Sequence, residues 1–337
     1  MDRQHRYTPL LTVDAGFASE AQLVVMKVFL AGATGAVGRQ LVPALIARRH
    51  EVVGLTRSAD RADALRAAGA QAVVADALDR TAILRAVKEA RPEIIIHQLT
   101  GLAGVTNYKH FDREFAATNR LRTEGTEILL EAGRHVGVRR FIAQSYGGWN
   151  YERTGDVLKT EADRLDHHPP RLQRQSLAAI QQLEHAVLNE PTVTGIALRL
   201  GSLYGPGTNV AANGDVAALV RARKLPIIGN GAGIWSFLHV DDAASAIVAA
   251  LWHGNTGIYN VCDDDPAPVK DWLPELARSL GAPAPLHVPA WLGRLAAGDV
   301  GVSMMTKIRG VSNAKAKREL QWQPRYASWR QGFHSGL

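Results

Sequence analysis

The most constraining feature of this sequence is an apolar run that ends in three glycines spaced three residues apart. Residues 28–38 read Val-Phe-Leu-Ala-Gly-Ala-Thr-Gly-Ala-Val-Gly. The apolar part predicts a buried strand, and a helix predicted over 36–49 with a strand over 51–55 completes a β-α-β unit. Glycines at such a turn let backbone N–H groups at the helix N-terminus approach a pyrophosphate. The pattern predicts a dinucleotide site formed by Gly32, Thr34, Gly35, Ala36, Val37 and Gly38.

The residues after the second and third strands predict which dinucleotide binds. Arg57 stands about twenty residues past the glycines, where an NAD-binding chain usually carries an acidic residue for the ribose hydroxyls. A guanidinium there suits a 2′-phosphate, which favours NADP and leaves NAD as the alternative. The other interpretation is that Arg57, like Arg61, is one more solvated arginine. Asp76, followed by Ala77, is expected to accept a hydrogen bond from the adenine amino group.

Composition and charge indicate a soluble cytoplasmic enzyme. With 337 residues, 46% of them hydrophobic, the chain can bury one large core and a smaller lobe. Cys262 is the only cysteine, so no internal disulfide forms, and no metal site is predicted. The formal net charge is +7, but basic and acidic residues are interspersed, which argues against nucleic acid. No run approaches the roughly eighteen to twenty apolar residues that a membrane helix needs.

Strands and helices alternate beyond the first unit, which predicts an α/β protein with a doubly wound parallel sheet of Rossmann type. Further strands are predicted over 71–75, 93–97, 140–144 and 195–200, and further helices over 60–68, 81–90, 111–136, 173–188, 215–223 and 243–253. Three parts are expected: a disordered extension at 1–25, a dinucleotide-binding domain at 26–200, and a smaller C-terminal substrate lobe at 201–337, of which 236–262 return to the Rossmann core.

Several motifs occur together in an order that resembles the extended short-chain dehydrogenase/reductase superfamily, the NAD-dependent epimerases, dehydratases and reductases. The motifs lie at 32–38, 94–97, 138–145, 198–206, 236–242 and 259–261. The resemblance runs from about residue 26 to about residue 325. It implies a Rossmann core and a nicotinamide cofactor. It also implies that Gln98, Leu99 and Thr100 line the ribose and nicotinamide side of that cofactor.

The catalytic residues depart from this superfamily's pattern. The superfamily uses a serine on the fifth strand and a Tyr-x-x-x-Lys on the next helix, where the lysine lowers the pKa of the tyrosine. Ser145 matches the serine, but no Tyr-x-x-x-Lys occurs anywhere in the chain. Alignment on Glu184 puts Ser176 and Ile180 at the two positions, and a shifted register puts Leu172 and Ser176 there. The chain therefore resembles an atypical member, for which sugar-nucleotide epimerisation or dehydration is the less favoured activity.

Replacement catalytic residues are sought in the loop after the fifth strand, where ligands of such folds sit. Ser145, Tyr146 and Tyr151 are the candidate proton donors, although aromatic residues there also serve as packing walls. Trp149, Tyr204, Trp235 and His239 are the candidate substrate contacts. Arg221, Arg223 and Lys224 either bind an anionic group or are solvated.

The sequence thus predicts a reductase that uses NADPH, or NADH, on a small and fairly apolar metabolite. The alternative from another class is a protein that binds NADP(H) without turnover and acts as a redox sensor. The expected partner is the small-molecule substrate, and the chain could form a homodimer.

Overall fold

The computed structural model describes residues 25–102 and 108–337, so the extension predicted at 1–25 lies outside the described residues except for Val25. The strands of this part are β1 (Lys27–Ala31), β2 (Glu51–Thr56), β3 (Gln71–Val74), β4 (Ile94–His97), β5 (Arg140–Tyr146), β6 (Leu158–Lys159), β7 (Thr194–Leu200), β8 (Ser202–Tyr204), β9 (Ile227–Ile228), β10 (Ile234–Trp235), β11 (Phe237–His239), β12 (Gly257–Val261), β13 (Ala267–Pro268), β14 (His287–Val288) and β15 (Gly310–Val311).

The α-helices of the same part are α1 (Ala36–Ile46), α2 (Ala59–Ala67), α3 (Arg80–Ala90), α4 (Phe111–Glu114), α5 (Ala116–Arg120), α6 (Thr126–Val136), α7 (Arg174–Leu188), α8 (Asp215–Arg221), α9 (Val240–Trp252), α10 (Val269–Ser279), α11 (Ala290–Thr306), α12 (Ala314–Glu319) and α13 (Trp329–Ser335). Short 3-10 helices occur at Tyr108–His110 and Arg171–Gln173, and a π-helix at Leu121–Gly125.

Seven strands form the central sheet in the order β3-β2-β1-β4-β5-β7-β12, and every neighbouring pair is parallel. The prediction of a doubly wound parallel sheet is therefore confirmed. The strand order reverses between β1 and β4, and ligands of open α/β sheets bind at the carboxyl edge beside such a switch point. The loops after β1, β4 and β5 all open on this edge.

The alternation of side chains along the strands builds two cores, one on each face of the sheet. On one face Val28 and Leu30 of β1 pack in the cluster that includes Leu41 of α1 and Ile247 of α9. On the other face Phe29 packs in the cluster formed with α3, α6 and α7. Both faces are covered, which explains why the strands read as continuous apolar runs instead of alternating ones.

The C-terminal region has a core of its own, in which Phe237, Trp272, Trp329 and Phe333 are buried. Residues 236–262 connect this core with the sheet. They begin as β11, which pairs in parallel with β8, continue as α9, which packs on α1, and end as β12 at the sheet edge.

Three predicted element bounds are corrected by the structure. The helix predicted over 111–136 consists of α4, α5, the π-helix and α6. The first helix ends at Ile46 instead of residue 49, because Arg49 adopts a left-handed conformation with φ of 64°. Helix α9 begins at Val240 instead of residue 243, and its N-cap is His239, whose Nδ1 accepts from the Asp241 N–H.

Candidate active site

The turn after β1 is closely packed around its glycines. Gly32 has a φ of 94°, and a Cβ on it would lie 2.6 Å from the Gln98 carbonyl oxygen. A Cβ on Gly38 would lie 2.3 Å from the Gly32 oxygen, and Gly35 caps α1 with no side chain over the first turn. Gly35 is exposed at the switch point, and no side chain caps the N–H groups at the start of α1. A pyrophosphate fits this turn and would be held by backbone N–H groups.

The end of β2 joins this turn through a hydrogen bond between the Thr34 and Thr56 hydroxyls, 3.3 Å apart. A pocket of about 260 Å³ adjoins Thr34 between α1 and α2, and both Arg39 and Arg61 line it. Arg39 donates through Nε to the Thr34 carbonyl at 3.1 Å. Arg57, the residue after β2, is exposed. Three arginines thus follow the glycine turn and β2, and this set is called the arginine cluster.

Asp76 is exposed just after β3, and its Oδ1 accepts from the Leu78 N–H at 2.9 Å. Its other oxygen remains open to a ligand or to water. Ala77 is buried and packs on the α3 side of the sheet. Asp79 caps α3 by accepting from the Ala82 N–H at 3.0 Å.

The loop after β4 places Gln98 beside Gly32. Gln98 is 5% exposed, and neither its Nε2 nor its Oε1 has a hydrogen-bond partner among the described residues. Leu99 is half-buried and Thr100 is exposed. A buried amide without partners is costly, because each unpaired group loses its hydration. The carboxamide and ribose of a nicotinamide nucleotide carry groups that would pair with it.

Ser145 and Tyr151 lie in a buried polar network instead of facing a free volume. The Ser145 Oγ donates to the Glu184 Oε1 at 2.7 Å, and Arg199 donates to both oxygens of Glu184 at 2.7 and 2.6 Å. Arg199 also donates to the Tyr151 Oη at 2.6 Å, and that hydroxyl donates to Asn260 at 2.8 Å. Burial raises the pKa of Tyr151 to about 12. The network joins β5, α7, β7 and β12.

Tyr146, the last residue of β5, lies outside this network. Its Oη is 3.2 Å from the Ser202 Oγ, and its ring stacks on Trp149 with 5.9 Å between the ring centroids. Burial raises the pKa of Tyr146 to about 12, so the phenol keeps its proton at neutral pH. Of the three predicted donors, Tyr146 is the one with its hydroxyl next to another hydroxyl instead of an ion pair.

Tyr146 and Trp149 belong to a larger set, called here the aromatic cluster. Trp149 packs edge-on against Phe111, with 5.1 Å between the centroids, and Phe111 stacks on Phe115. Trp235 packs against the same set and donates to the Met304 carbonyl at 3.1 Å. The structure therefore brings together three predicted residues, Tyr146, Trp149 and Trp235.

Tyr204 and His239 lie elsewhere, within the core of the C-terminal region. Their rings pack together with 5.2 Å between the centroids, and both are almost completely buried. The His239 Nε2 bonds to the Gly336 carbonyl at 2.9 Å, and its Nδ1 caps α9. Both side chains thus stabilise this core and are not placed to contact a substrate. Arg221 and Arg223 donate to backbone carbonyls of Ala212 and Ala284.

The positions aligned with the missing pair lie on buried faces of α7. The Ser176 Oγ donates to the Asp112 Oδ1 at 2.7 Å and accepts from Asn119 at 3.0 Å. Asp112 also accepts from the backbone N–H groups of residues 175 and 176. Ile180 packs in the aromatic cluster. The Ser176 hydroxyl is therefore fixed by a carboxylate at the start of α7, and no cation lies one turn further on.

Arg122 is a residue that sequence reasoning missed. It lies in the π-helix, is 5% exposed, and has electrostatic interactions with Glu184 and Tyr146. The sequence pattern could have indicated that Arg122 is buried, because it shares one helical face with Thr126, Leu129 and Gly133, all of which are buried. A charged residue on an apolar face predicts either a pairing partner or a ligand.

Comparison with known proteins identifies the class. The sequence profile of the NAD dependent epimerase/dehydratase family matches residues 28–262, and the chain belongs to that family. It is 45% identical to a 3-diazoavenalumate denitrifying reductase of a Streptomyces species over 308 residues, which cover 91% of this chain and 99% of the relative.

Two further similarities extend across most of the chain. A 4-hydroxy-2-methyl-3-oxo-4-farnesyl-3,4-dihydroquinoline-1-oxide ketoreductase of Stigmatella aurantiaca is 26% identical over 302 residues, covering 87% of this chain and 85% of the relative. The structure of a Thermus thermophilus UDP-glucose 4-epimerase in complex with NAD matches with a TM-score of 0.68 and 25% identity, covering 92% of this chain and 97% of that one.

These findings confirm the predicted superfamily and the class of oxidoreductase, and they support a nicotinamide cofactor. In residues 25–102 and 108–337, no helix combines the length and apolar character needed to cross a bilayer.

Proposed function

We propose that this chain is a nicotinamide-dependent reductase that removes a diazo group from a small aromatic acid. The observation that carries the proposal is the absence of a Tyr-x-x-x-Lys, together with the engagement of the Ser176 hydroxyl by Asp112. The 45% identical relative is named as a denitrifying reductase of a diazo carboxylate, and it is covered over 99% of its length.

The chemistry of this reduction explains why the pair is dispensable. A carbon-bound diazonium group is a good electron acceptor and leaves as dinitrogen. Addition of a hydride to R–N2⁺ gives R–H and N2, so the overall reaction consumes no proton. Reduction of a ketone, by contrast, leaves an alkoxide that needs a proton from a general acid. A site without the tyrosine and lysine suits the first reaction better than the second.

The residues that would hold the cofactor follow from the turn geometry. The N–H groups at the start of α1 would bind the pyrophosphate, Asp76 the adenine amino group, and Gln98 with Leu99 and Thr100 the ribose and nicotinamide. When bound, the reduced nicotinamide supplies the hydride. The chain's own part is to orient the substrate beside the carboxyl ends of β4 and β5 and to exclude water.

The arginine cluster supports a preference for NADP over NAD. Arg57 occupies the position of the acidic residue that usually binds the ribose hydroxyls, and Arg39 and Arg61 line the adjoining pocket. A 2′-phosphate would receive charge-assisted hydrogen bonds from such guanidinium groups, whereas NAD offers no charge at this point.

The aromatic cluster supports a planar, fairly apolar substrate. The Trp149 ring lies between two others, with its centroid 5.1 Å from that of Phe111 and 5.9 Å from that of Tyr146. Such rings favour offset or edge-on contacts with another aromatic ring. We therefore infer an aryl group for the substrate.

Reduction of a ketone is the second candidate, with Tyr146 as the general acid. A relative named as a ketoreductase and the protonated phenol of Tyr146 at the end of β5 favour it. The third candidate function is that of a redox sensor, which would bind NADP(H) without turnover.

The test supplies the purified protein with deuterium-labelled NADPH and an aryl diazonium carboxylate, and with an aryl ketone of the same size in parallel. We expect dinitrogen release, and deuterium on the carbon that carried the diazo group. Incorporation from D2O instead of from the cofactor would refute direct hydride transfer. A reaction without protein corrects for spontaneous loss of dinitrogen.

Two variants separate the candidate reactions. Tyr146→Phe keeps the ring and removes the phenol proton, so we expect the kcat of denitrification at saturating substrate to change less than about threefold, whereas the kcat of ketone reduction through Tyr146 would fall about a hundredfold. Ser176→Ala is the control for the superfamily's donor position. Tight NADPH binding with no oxidation of either substrate would favour the sensor.

A further inference from the structure

Arg122 is a buried cation without a counter-charge of its own. Its side chain is 5% exposed, and no residue in the described part of the chain accepts a hydrogen bond from its guanidinium. The Nη1 atom is completely shielded from solvent. Burial lowers the pKa of Arg122 to about 10, so the group is still charged at neutral pH. A buried charge normally persists only where a partner of opposite charge offsets its lost hydration.

The carboxylate that interacts electrostatically with Arg122 already accepts hydrogen bonds from other residues. Glu184 interacts with Arg122, but both of its oxygens accept from Arg199, and one also accepts from Ser145. These three bonds come from residues of β5 and β7 and occupy most of the roughly four acceptor sites of the carboxylate. Glu184 therefore does not neutralise Arg122 in the way that a dedicated ion pair would.

The backbone around Arg122 is held in place by specific contacts. The π-helix leaves carbonyl groups without their usual α-helical donors, and side chains supply replacements. The His97 Nε2 lies 3.2 Å from the Leu121 carbonyl, and the Thr126 hydroxyl donates to the Arg122 carbonyl at 2.6 Å. A side chain on such a segment is positioned by the sheet instead of by the regular helix.

Buried polar atoms without partners occur in several parts of the described residues, and three of them belong to the loop after β4 and to α5. They are both amide atoms of Gln98, at the end of β4, and the Oδ1 of Asn119, on α5 just before the π-helix. Asn119 also donates to Ser176 of α7 at 3.0 Å, which links these elements. Gln98 lies at the carboxyl edge of β4, where a ligand is expected, and its two unpaired amide atoms could pair with such a ligand.

From these observations we propose that Arg122 binds a negatively charged oxygen of the substrate, next to the Tyr146 hydroxyl. The inference rests on the proposed function, since it assigns the substrate's charge and the residue that recognises it. The guanidinium would gain the partner that the protein lacks, and Tyr146 would donate to the same oxygen. A carboxylate and a phenolate both present such an oxygen, so the shared chemistry is an acidic aryl ligand.

The experiment measures binding, which does not depend on turnover. The probes are 4-hydroxycinnamate, its methyl ester and its methyl ether, titrated calorimetrically into the protein with NADP⁺ present. We expect the ester or the ether to bind about 10- to 100-fold more weakly than the parent acid, because one charge-assisted hydrogen bond is lost. The weaker of the two identifies whether the carboxylate or the phenol oxygen pairs with Arg122.

Variants then assign this preference to Arg122. Arg122→Gln should reduce the discrimination to less than about threefold, and Arg122→Lys, which keeps the charge but not the planar fork, should restore part of it. Arg120→Gln is the matched control, because Arg120 is exposed on the same helical stretch and pairs with Glu124. Circular dichroism verifies that each variant is folded.

The outcomes separate this inference from the proposed function. Equal binding of all three probes to the wild type, or full discrimination in folded Arg122→Gln, would overturn the role of Arg122 even if diazo substrates are reduced. Loss of discrimination in Arg122→Gln without any denitrification would support the anion site and contradict the proposed reaction.

Discussion

At the scale of single residues, the buried charges of this protein fall into two kinds. Arg199 and Glu184 satisfy each other through two hydrogen bonds, and they tie β7 to α7. Among the described residues, Arg122 has no such partner. Removing one member of a pair of the first kind would be strongly destabilising because the other would remain buried and unpaired, whereas a charge of the second kind already bears that cost. Burial alone does not distinguish them, and the hydrogen-bond partners do.

Arg57 leads to a prediction about the cofactor. Arg57→Ala should weaken NADPH binding about tenfold or more and leave NADH binding within about twofold, because only the phosphorylated cofactor would form the charge-assisted bond. Fluorescence titration of both reduced cofactors measures this effect. Arg66→Ala is the control, since Arg66 is exposed on α2 and pairs with Asp63. Similar losses for both cofactors would show that Arg57 does not read the 2′-phosphate.

The residues of the glycine turn could be predicted because their chemistry is local. Gly32 has a positive φ, and the backbone approaches Gly38 closely, so both positions require a residue without a Cβ. The spacing of the glycines in the sequence therefore indicates this turn. The surroundings of four other predicted residues could not be predicted from the sequence, because each depends on partners that are distant along the chain. These residues are Ser145, Tyr151, Tyr204 and His239. The Ser145 hydroxyl, for example, meets a carboxylate 39 residues away.

At the scale of elements, six of the seven strands of the central sheet, all but β12, were predicted within one or two residues because each is a short apolar run bounded by polar residues. The helix predicted over 111–136 was only partly right. Its apolar spacing continues through the π-helix, and the periodicity of a sequence does not record a change from i+4 to i+5 hydrogen bonds. Side chains of neighbouring elements maintain that change.

His97 gives a prediction for the π-helix that it contacts. Burial lowers the pKa of His97 to about 4, whereas an unfolded histidine titrates near 6.5. Between these values the unfolded chain binds a proton that the folded chain does not. His97 therefore lowers the free energy of unfolding by about 1.4 kcal/mol for each unit by which the pH falls through this range.

Urea unfolding at several pH values between about 6.5 and 4.5 tests this effect. His97→Gln keeps a donor for the Leu121 carbonyl but does not titrate, so its stability should fall less steeply with decreasing pH than that of the wild type. His135→Gln serves as the control, because His135 is exposed on α6. Parallel pH profiles for wild type and His97→Gln would contradict the prediction.

At the scale of the whole molecule, Asp242 connects the sheet with the C-terminal core. It is 2% exposed in the first turn of α9, and its two oxygens accept from the backbone N–H groups of Arg325 and Tyr326 at 2.7 and 2.9 Å. The segment that it holds continues into α13, whose Trp329 and Phe333 pack on Phe237. One carboxylate therefore helps to fix the C-terminal region against the central sheet.

Asp242→Ala should lower the free energy of unfolding by about 2–4 kcal/mol, because it leaves two backbone donors without acceptors. Trypsin cleavage after Arg325 should become faster in the same variant. Asp241→Ala, at a neighbouring position with 40% side-chain exposure, should cost less than about 1 kcal/mol. Equal free energies of unfolding for the two variants would show that the hydrogen bonds from Asp242 to the C-terminal segment do not stabilise the fold.

The contact between Ser176 and Asp112 has a consequence for introducing the superfamily's tyrosine and lysine into this chain. Ser176 is completely buried, and Asp112 accepts hydrogen bonds from both its hydroxyl and its backbone N–H. A tyrosine there would lose that hydroxyl bond and displace Asn119, and a lysine at 180 would enter an apolar cluster. In the register set by Glu184, introducing a tyrosine at 176 and a lysine at 180 would therefore not by itself create the superfamily's pair, because the residues around both positions would also have to change.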